Sequence, residues 1–302
     1  MLTLTLDIGG TKLAAGLVDG DGGLVHHTHA ATPGGDAEAV WTVLAGLIDD
    51  ALTRAGGRVR AVGVGSAGPI DLTAGTVSPI NLTAWSRFPL TERVSAALPG
   101  VPVRLGGDGL CMAMGEQWRG AGRGARFVLG IVVSTGVGGG LVLDGMPYQG
   151  RTGNAGHVGH VVVDPRGVAC SCGGRGCVET MAAGPAMVRW ARANGWNAPP
   201  DADAEDLAAA AAAGVPVAVR AYRRGADALA AAISSVAAVC DLDLVVIGGG
   251  VARSGPVLFD PLAEALTTYT GLSFLRGLRV VPARLGATAG LIGAARLAIS
   301  AC

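Results

Sequence analysis

The hydrophobic and polar positions of this chain fall into short apolar runs that end at glycines, separated by stretches with helical spacing. The opening LTLTLDIGG reads as a strand entering a glycine turn, and TKLAAGLVDGDGGLV leaves that turn as a second strand. Over 36–55, Val40, Trp41, Val43, Leu44, Leu47 and Ile48 recur on one side of a helix. Residues 60–65 form a short buried strand followed by the loop GSAGPID, 79–89 is loop, and 101–105 is another strand. A helix is expected over 109–120, starting just after Asp108. The pattern then recurs. Residues 127–134 make an apolar, β-branched strand that enters the turn STGVGGG and leaves by the strand LVLDG. This second cycle of strand, glycine turn and strand points to two related α/β domains.

Alanine-rich helices follow, over 203–213 and within 216–240. Asp203, Glu205 and Asp206 suit the N-terminal turn of the first of them. Then come the strand LDLVVIGGG, a largely helical 251–269, a strand over 278–282 and the closing helix ATAGLIGAARLAIS.

Composition narrows the picture. The 302 residues suffice for two domains with a buried core. Half of them are hydrophobic, yet no apolar run reaches membrane-spanning length, and the N-terminus lacks the features of a signal peptide. A soluble, cytoplasmic protein is expected. The formal net charge is zero and there is no basic stripe, so neither nucleic acid nor a membrane is an expected partner. Of the 23 basic residues only Lys12 is a lysine, and it stands in the first glycine turn, where a compact charge suits a phosphate. Cys111 and Cys240 lie in apolar surroundings and read as core fillers.

The densest chemistry lies in GNAGHVGHVVVDPRGVACSCGGRGCVE. It brings His157, His160, Cys170, Cys172, Cys177 and Glu179 into one short span. Three thiols and an imidazole suffice for a tetrahedral zinc site, and Gly173, Gly174 and Gly176 permit the tight turns that the spacing needs. A disulfide is the competing reading; zinc is favoured because nothing else in the chain points to an oxidising compartment. A loop fixed by metal would hold His160 and Glu179 towards a ligand.

Three glycine turns follow apolar strands. The first carries Asp7, Gly9, Gly10, Thr11 and Lys12, the second Ser134, Thr135, Gly136 and Gly138, and the third Gly248, Gly249 and Gly250. Bare backbone amides can approach phosphates there. None is a P-loop, and LVLDG reads as a strand where the dinucleotide fingerprint needs a helix, so NAD is rejected. Asp7 suits magnesium or a turn cap. Asp108, between strand and helix, suits a general base or a helix N-cap.

Together these motifs resemble the ROK family of bacterial sugar kinases, sugar-responsive repressors and related reading frames. LDIGGTK looks like its first phosphate motif, STGVGGGLV its second, VVIGGGV its adenosine-side motif, and GNAGHVGH with CSCGGRGCVE its signature and zinc segment. The resemblance implies an α/β, actin-like, hexokinase-type ATPase fold with two ribonuclease-H-like domains around a central cleft. The smaller domain is expected over 1–108 plus 286–302 and the larger over 109–285. It implies a structural zinc on His160, Cys170, Cys172 and Cys177, and Asp108 as the general base. It also implies sugar contacts from Gly68, Asn81, Asp108, His157, His160 and Glu179, with ATP and magnesium on the three glycine turns and a homodimer or homotetramer.

Two positions depart from the common pattern. Gly107 stands where many family kinases have Asn, and His157 where many have Glu; His at that position resembles bacterial N-acetylmannosamine kinases. The expected function is ATP-dependent phosphorylation of a hexose or N-acylhexosamine at the C6 hydroxyl. A sugar-binding protein without kinase activity is the alternative. A sugar-responsive regulator ranks lower, because the first phosphate motif starts within ten residues of Met1 and leaves no room for a helix-turn-helix.

Overall fold

A computed structural model describes residues 1–300 of the chain. It has two compact units. Unit 1 comprises 1–126, 140–156 and the chain from Leu285 on; unit 2 comprises 127–139 and 157–284. Among the described residues no helix is long and apolar enough to cross a membrane.

In unit 1 the chain forms β1 (Thr3–Ile8), β2 (Lys12–Val18), β3 (Leu24–Ala31), α1 (Ala37–Arg54) and β4 (Val62–Ser66). A small hairpin of β5 (Ile70–Asp71) and β6 (Thr76–Val77) follows, then α2 (Leu90–Ala97), β7 (Val103–Gly107) and α3 (Asp108–Arg119). The second cycle has β8 (Val128–Val133), β9 (Val137–Leu143) and β10 (Met146–Tyr148). After it come α4 (Glu179–Ala182), α5 (Gly184–Ala193), α6 (Ala204–Ala212), α7 (Pro216–Cys240), β11 (Leu244–Gly248), α8 (Pro256–Tyr269), β12 (Arg279–Pro282) and α9 (Ala289–Ile299).

The two sheets share one strand logic, β3-β2-β1-β4-β7 and β10-β9-β8-β11-β12. In each, the first strand of the cycle is central and its glycine turn leads to a neighbour on one side. The strand that follows on its other side runs parallel, as β4 does to β1 and β11 to β8. This bears out the recurrence seen in the sequence.

Alternation along β1 decides what the first turn presents. Leu4, Leu6 and Ile8 enter a core with Val40, Leu44 and Ile48 of α1. Thr5 and Asp7 therefore turn to the face covered by α9, where Thr5 Oγ1 donates to the Gly16 carbonyl at 3.1 Å. Helix α1 begins where expected, with the Asp36 carboxylate accepting from the Ala39 amide at 2.9 Å.

The structure corrects several readings. The segment after the first turn is two strands, because the Asp19 carboxylate takes the amides of Asp21 and Gly23 and folds the chain back. Gly138 lies inside β9, and the second turn proper is Ser134–Gly136, closed by Ser134 N–H to Gly136 O at 2.9 Å. The 251–269 segment breaks at Gly255, whose φ of +59° ends a short 3-10 turn before α8. Helix α2 had no counterpart in the expectations. The compact units also differ from the division drawn at Asp108. Helix α3 belongs with unit 1 because it packs along α9, where Gly293 leaves space for the Cys111 carbonyl.

Candidate functional site

In unit 1 the first glycine turn, the 79–81 segment and the start of α3 carry the chemistry. The turn closes through Gly9 N–H to Lys12 O at 2.9 Å, and Thr32 Oγ1 donates to Gly9 O at 2.8 Å. Asn81 is exposed and lies on this turn: a β-carbon at Gly10 would sit 2.5 Å from the Asn81 carbonyl oxygen and 2.6 Å from its Cγ. Gly68 anchors the same loop by accepting from the Ile80 amide at 3.2 Å. The predicted phosphate residue Gly10 and the predicted sugar residue Asn81 are thus in contact.

Asp108 opens α3 directly from β7. Gly107 occupies the cap position and makes no side-chain cap bond, while the Asp108 carboxylate accepts from the Gly109 amide at 2.7 Å. Asp108 is exposed. Asp108 therefore stands in the first turn of α3, and Gly107 is the N-cap residue.

Asp7 carries the electrostatic record of this arrangement. Its pKa is raised from 3.8 to about 6, first by burial and then by the negative charge of Asp108, against the opposing pull of Lys12. Its carboxylate packs on α9 at Gly290, where a β-carbon would come within 2.8 Å of Oδ2. The folded chain holds the Asp7 proton more tightly than the unfolded chain does. This group therefore stabilises the metal-free protein below its unfolded pKa, and that contribution is lost as pH rises through about 6. Thermal melts from about pH 4 to 7 should show the loss in the wild type and not in Asp7→Asn; parallel profiles for the two would refute it.

In unit 2 the second and third glycine turns meet. Gly249, with φ of +96°, runs so close to β8 that a β-carbon would lie 2.3 Å from the Val133 carbonyl oxygen. Gly250 approaches the Ser134 hydroxyl, and the Ser134 carbonyl accepts from the Gly184 amide at 2.9 Å. Thr135 stands next in the turn. Glu179 reaches the same turn from the cysteine segment, its Oε2 accepting from the Val137 amide at 2.8 Å.

His160, Cys170, Cys172 and Cys177 place their ligand atoms all within 4.8 Å of one another. The Cys172 and Cys177 sulfurs are 3.7 Å apart, and Cys170 Sγ is 3.8 Å from His160 Nδ1. Zinc–sulfur bonds of about 2.3 Å in a tetrahedron make sulfur–sulfur edges of about 3.8 Å, so the donor set fits such an ion. The cysteines are free thiols, which removes the disulfide reading. Burial, then the neighbouring sulfurs, push the Cys177 thiol up to about 12. His157 is exposed and stays outside this donor set; its ring lies 6.4 Å from that of His160. With Nδ1 turned to the sulfurs, His160 keeps Nε2 for another partner.

Two residues of consequence escaped the sequence reading. Asn154, in unit 1, clamps the loop after Gly68: its Oδ1 accepts from the Ile70 amide at 2.9 Å and its Nδ2 donates to the Ile70 carbonyl at 2.7 Å. It was visible as the one amide side chain in GNAGHVGH. Gly290 gave only the weak signal of a glycine within a helix.

The ROK family profile matches residues 3–301. The chain is 37% identical to the N-acetylmannosamine kinase of Citrobacter koseri, covering 99% of each. It is 35% identical to the glucokinase of Streptomyces coelicolor, covering 98% of this chain and 97% of that one. Among solved structures, a ROK family glucokinase from Streptomyces griseus in complex with glucose and AMPPNP superposes with a TM-score of 0.84 at 35% identity, covering 99% of each chain.

Proposed function

This chain belongs to the ROK family, and on that premise we propose that it is an ATP-dependent kinase whose acceptor is the C6 hydroxyl of a hexose or N-acylhexosamine. Its fold is the actin-like, hexokinase-type ATPase fold. The observation that carries the reading is the pairing in unit 1 of an exposed Asp108 with the glycine turn of Asp7 and Lys12, close enough that Asp108 raises the Asp7 pKa.

Asp108 accepts the proton of the attacking hydroxyl, whose oxygen then displaces ADP from the γ-phosphorus in line. Gly9, Gly10 and Thr11 present amides and a hydroxyl to phosphate oxygens, and Lys12 adds a compact positive charge. Ser134, Thr135 and Gly136 do the same from the second turn, with Gly248, Gly249 and Gly250 on the adenosine side. Asp7 would hold magnesium, which supplies neutralisation of phosphate charge. His160, Cys170, Cys172 and Cys177 would hold zinc, whose four protein ligands leave no position for a reacting water. Gly68, Asn81, His157, His160 and Glu179 are the sugar contacts.

N-acetylmannosamine is the preferred acceptor in this reading, because Gly107 and His157 remove an amide and a carboxylate that family glucokinases offer to hydroxyls. Packing does not force Gly107: nothing lies within 4 Å of where its β-carbon would be, and its φ of −66° suits any residue. ADP release with magnesium-ATP over a panel of glucose, mannose, fructose, allose, N-acetylglucosamine and N-acetylmannosamine tests the function. Strong turnover with N-acetylmannosamine is expected; silence across the panel overturns the kinase. The double variant Gly107→Asn, His157→Glu should improve kcat/KM for glucose relative to N-acetylmannosamine by roughly ten-fold or more, since each mispaired hydroxyl costs on the order of 1–3 kcal/mol. An unchanged ratio would remove both positions from the account of specificity.

A further inference from the structure

Unit 2 contains a pocket of about 410 Å³ that takes Thr135, Glu179 and Cys170 from the site described above and the rest of its lining from residues the proposed phosphoryl transfer does not use. It is lined by Arg189 and Trp190 of α5, Arg224 of α7 and Thr180 of α4, and Thr135 and Glu179 border it as well. Its size falls within the range of small-ligand sites, roughly 300–1,000 Å³.

Charge and geometry point to the class of ligand. Among the described residues neither Arg189 nor Arg224 enters an ion pair. The Arg224 guanidinium lies 5.7 Å from the centroid of the Trp190 ring, which holds it half-buried in the wall. Burial lowers its pKa, and the charge of Asp164 opposes that shift. The one carboxylate lining the pocket, Glu179, already receives the Val137 amide. Two guanidinium forks against one engaged carboxylate favour an anion with several acceptor oxygens, for which a phosphate ester is the best geometric match. The Thr135 and Thr180 hydroxyls add hydrogen-bonding capacity for a polyol. Thr180 Oγ1 donates to the Cys177 carbonyl at 2.7 Å and so keeps its lone pairs for a ligand hydroxyl.

We propose that this pocket is a second site, one that binds a phosphorylated sugar and through which the product of the reaction restrains the enzyme. The identity of the ligand as product rests on the kinase reading above. Coupling is direct in covalent terms. Thr135 belongs to the second glycine turn, and Glu179 fixes the amide of Val137 at its end. An occupant that touches both residues has a different affinity for different arrangements of that turn, which is the requirement for linkage.

Calorimetry on the full-length, zinc-loaded protein, saturated with the unphosphorylated acceptor sugar, tests the site with N-acetylmannosamine 6-phosphate, glucose 6-phosphate and inorganic phosphate. A phosphosugar should bind under these conditions and inhibit ADP release without competing with the acceptor. Arg189→Ala should weaken that binding by about ten-fold or more, as expected for loss of a charged hydrogen-bond donor, and leave kcat without phosphosugar unchanged. Arg224→Lys, which keeps the stem and the charge but loses the fork, should weaken it as well. Competition with the acceptor, equal affinity in Arg189→Ala and wild type, or equal affinity for inorganic phosphate and the phosphosugars would each overturn the assignment. Failure of the kinase reading would show separately, as absence of ADP with every sugar, while the calorimetric titration still decides the pocket.

Discussion

Asp108→Asn will lower kcat by about 10²–10⁴-fold, the range a positioned general base contributes, while sugar affinity by calorimetry stays close to wild type. The substitution keeps the shape of the side chain and leaves an Oδ1 able to accept from the Gly109 amide, the 2.7 Å bond seen for the carboxylate. It removes the capacity to take the proton of an attacking hydroxyl, which is not acidic enough to ionise by itself near neutral pH. The negative charge of Asp108 is also the second cause of the raised Asp7 pKa. The variant should therefore move the titration of Asp7 down from about 6, a shift readable by carboxyl-carbon NMR. A purely structural role for Asp108 would change neither kcat nor that titration independently of stability. Retention of kcat within a few-fold would remove the general base from the mechanism. Loss of sugar binding together with turnover would recast Asp108 as a binding group.

The second large effect is expected at the cysteine segment. Purified protein should contain one zinc per chain by mass spectrometry, and Cys172→Ser, at an exposed position, should lose it. Structural zinc contributes roughly 10–16 kcal/mol of apparent binding free energy in small domains, so loss of the ion should melt this segment well below the global unfolding temperature. The consequence reaches the proposed sugar contacts through the chain itself. His160 is both a member of the donor set and a proposed contact, and Glu179 follows Cys177 by two residues and holds the Val137 amide. The 157–160 turn also packs on β9 so tightly that a β-carbon at Gly159 would lie 1.8 Å from the Val137 carbonyl oxygen. A rise in sugar KM of about a hundred-fold or more is expected, from losing two charged or polar contacts at about 1.5–3 kcal/mol each. Added zinc should restore the wild type after chelation and leave Cys172→Ser unrestored. A metal-free wild type with normal KM and melting behaviour would show that the four ligands do not hold an ion that matters.

Much of the candidate site was legible because its parts are local. The three glycine turns, the donor set at 160–177 and the buried strands β1, β8 and β11 each announce themselves within a dozen residues. Apolar alternation, missing side chains and thiol spacing are properties of contiguous sequence. The same holds for α1 and α6, whose caps come from Asp36 and Asp203 at their own starts. Errors arose where a segment lacked a strong local signal. Strand β3 is half exposed along its length, and α2 is a short helix without a side-chain cap; both take their form from what they pack against.

By itself, then, the sequence determined which chemistry is present and that it recurs in two related halves. Backbone turns and metal-ligand spacing are set by neighbours along the chain. Only the tertiary structure decided what those groups do to one another. It placed Asn81 on Gly10, set Asp108 close enough to lift the Asp7 pKa, bound Asn154 to Ile70, and turned Asp7 against the bare backbone of Gly290. It also showed that Gly107 has room for a side chain. The physical reason is the same in each case. Electrostatic and steric coupling fall off within a few ångströms, and residues tens of positions apart come within that range only when sheet and helices pack.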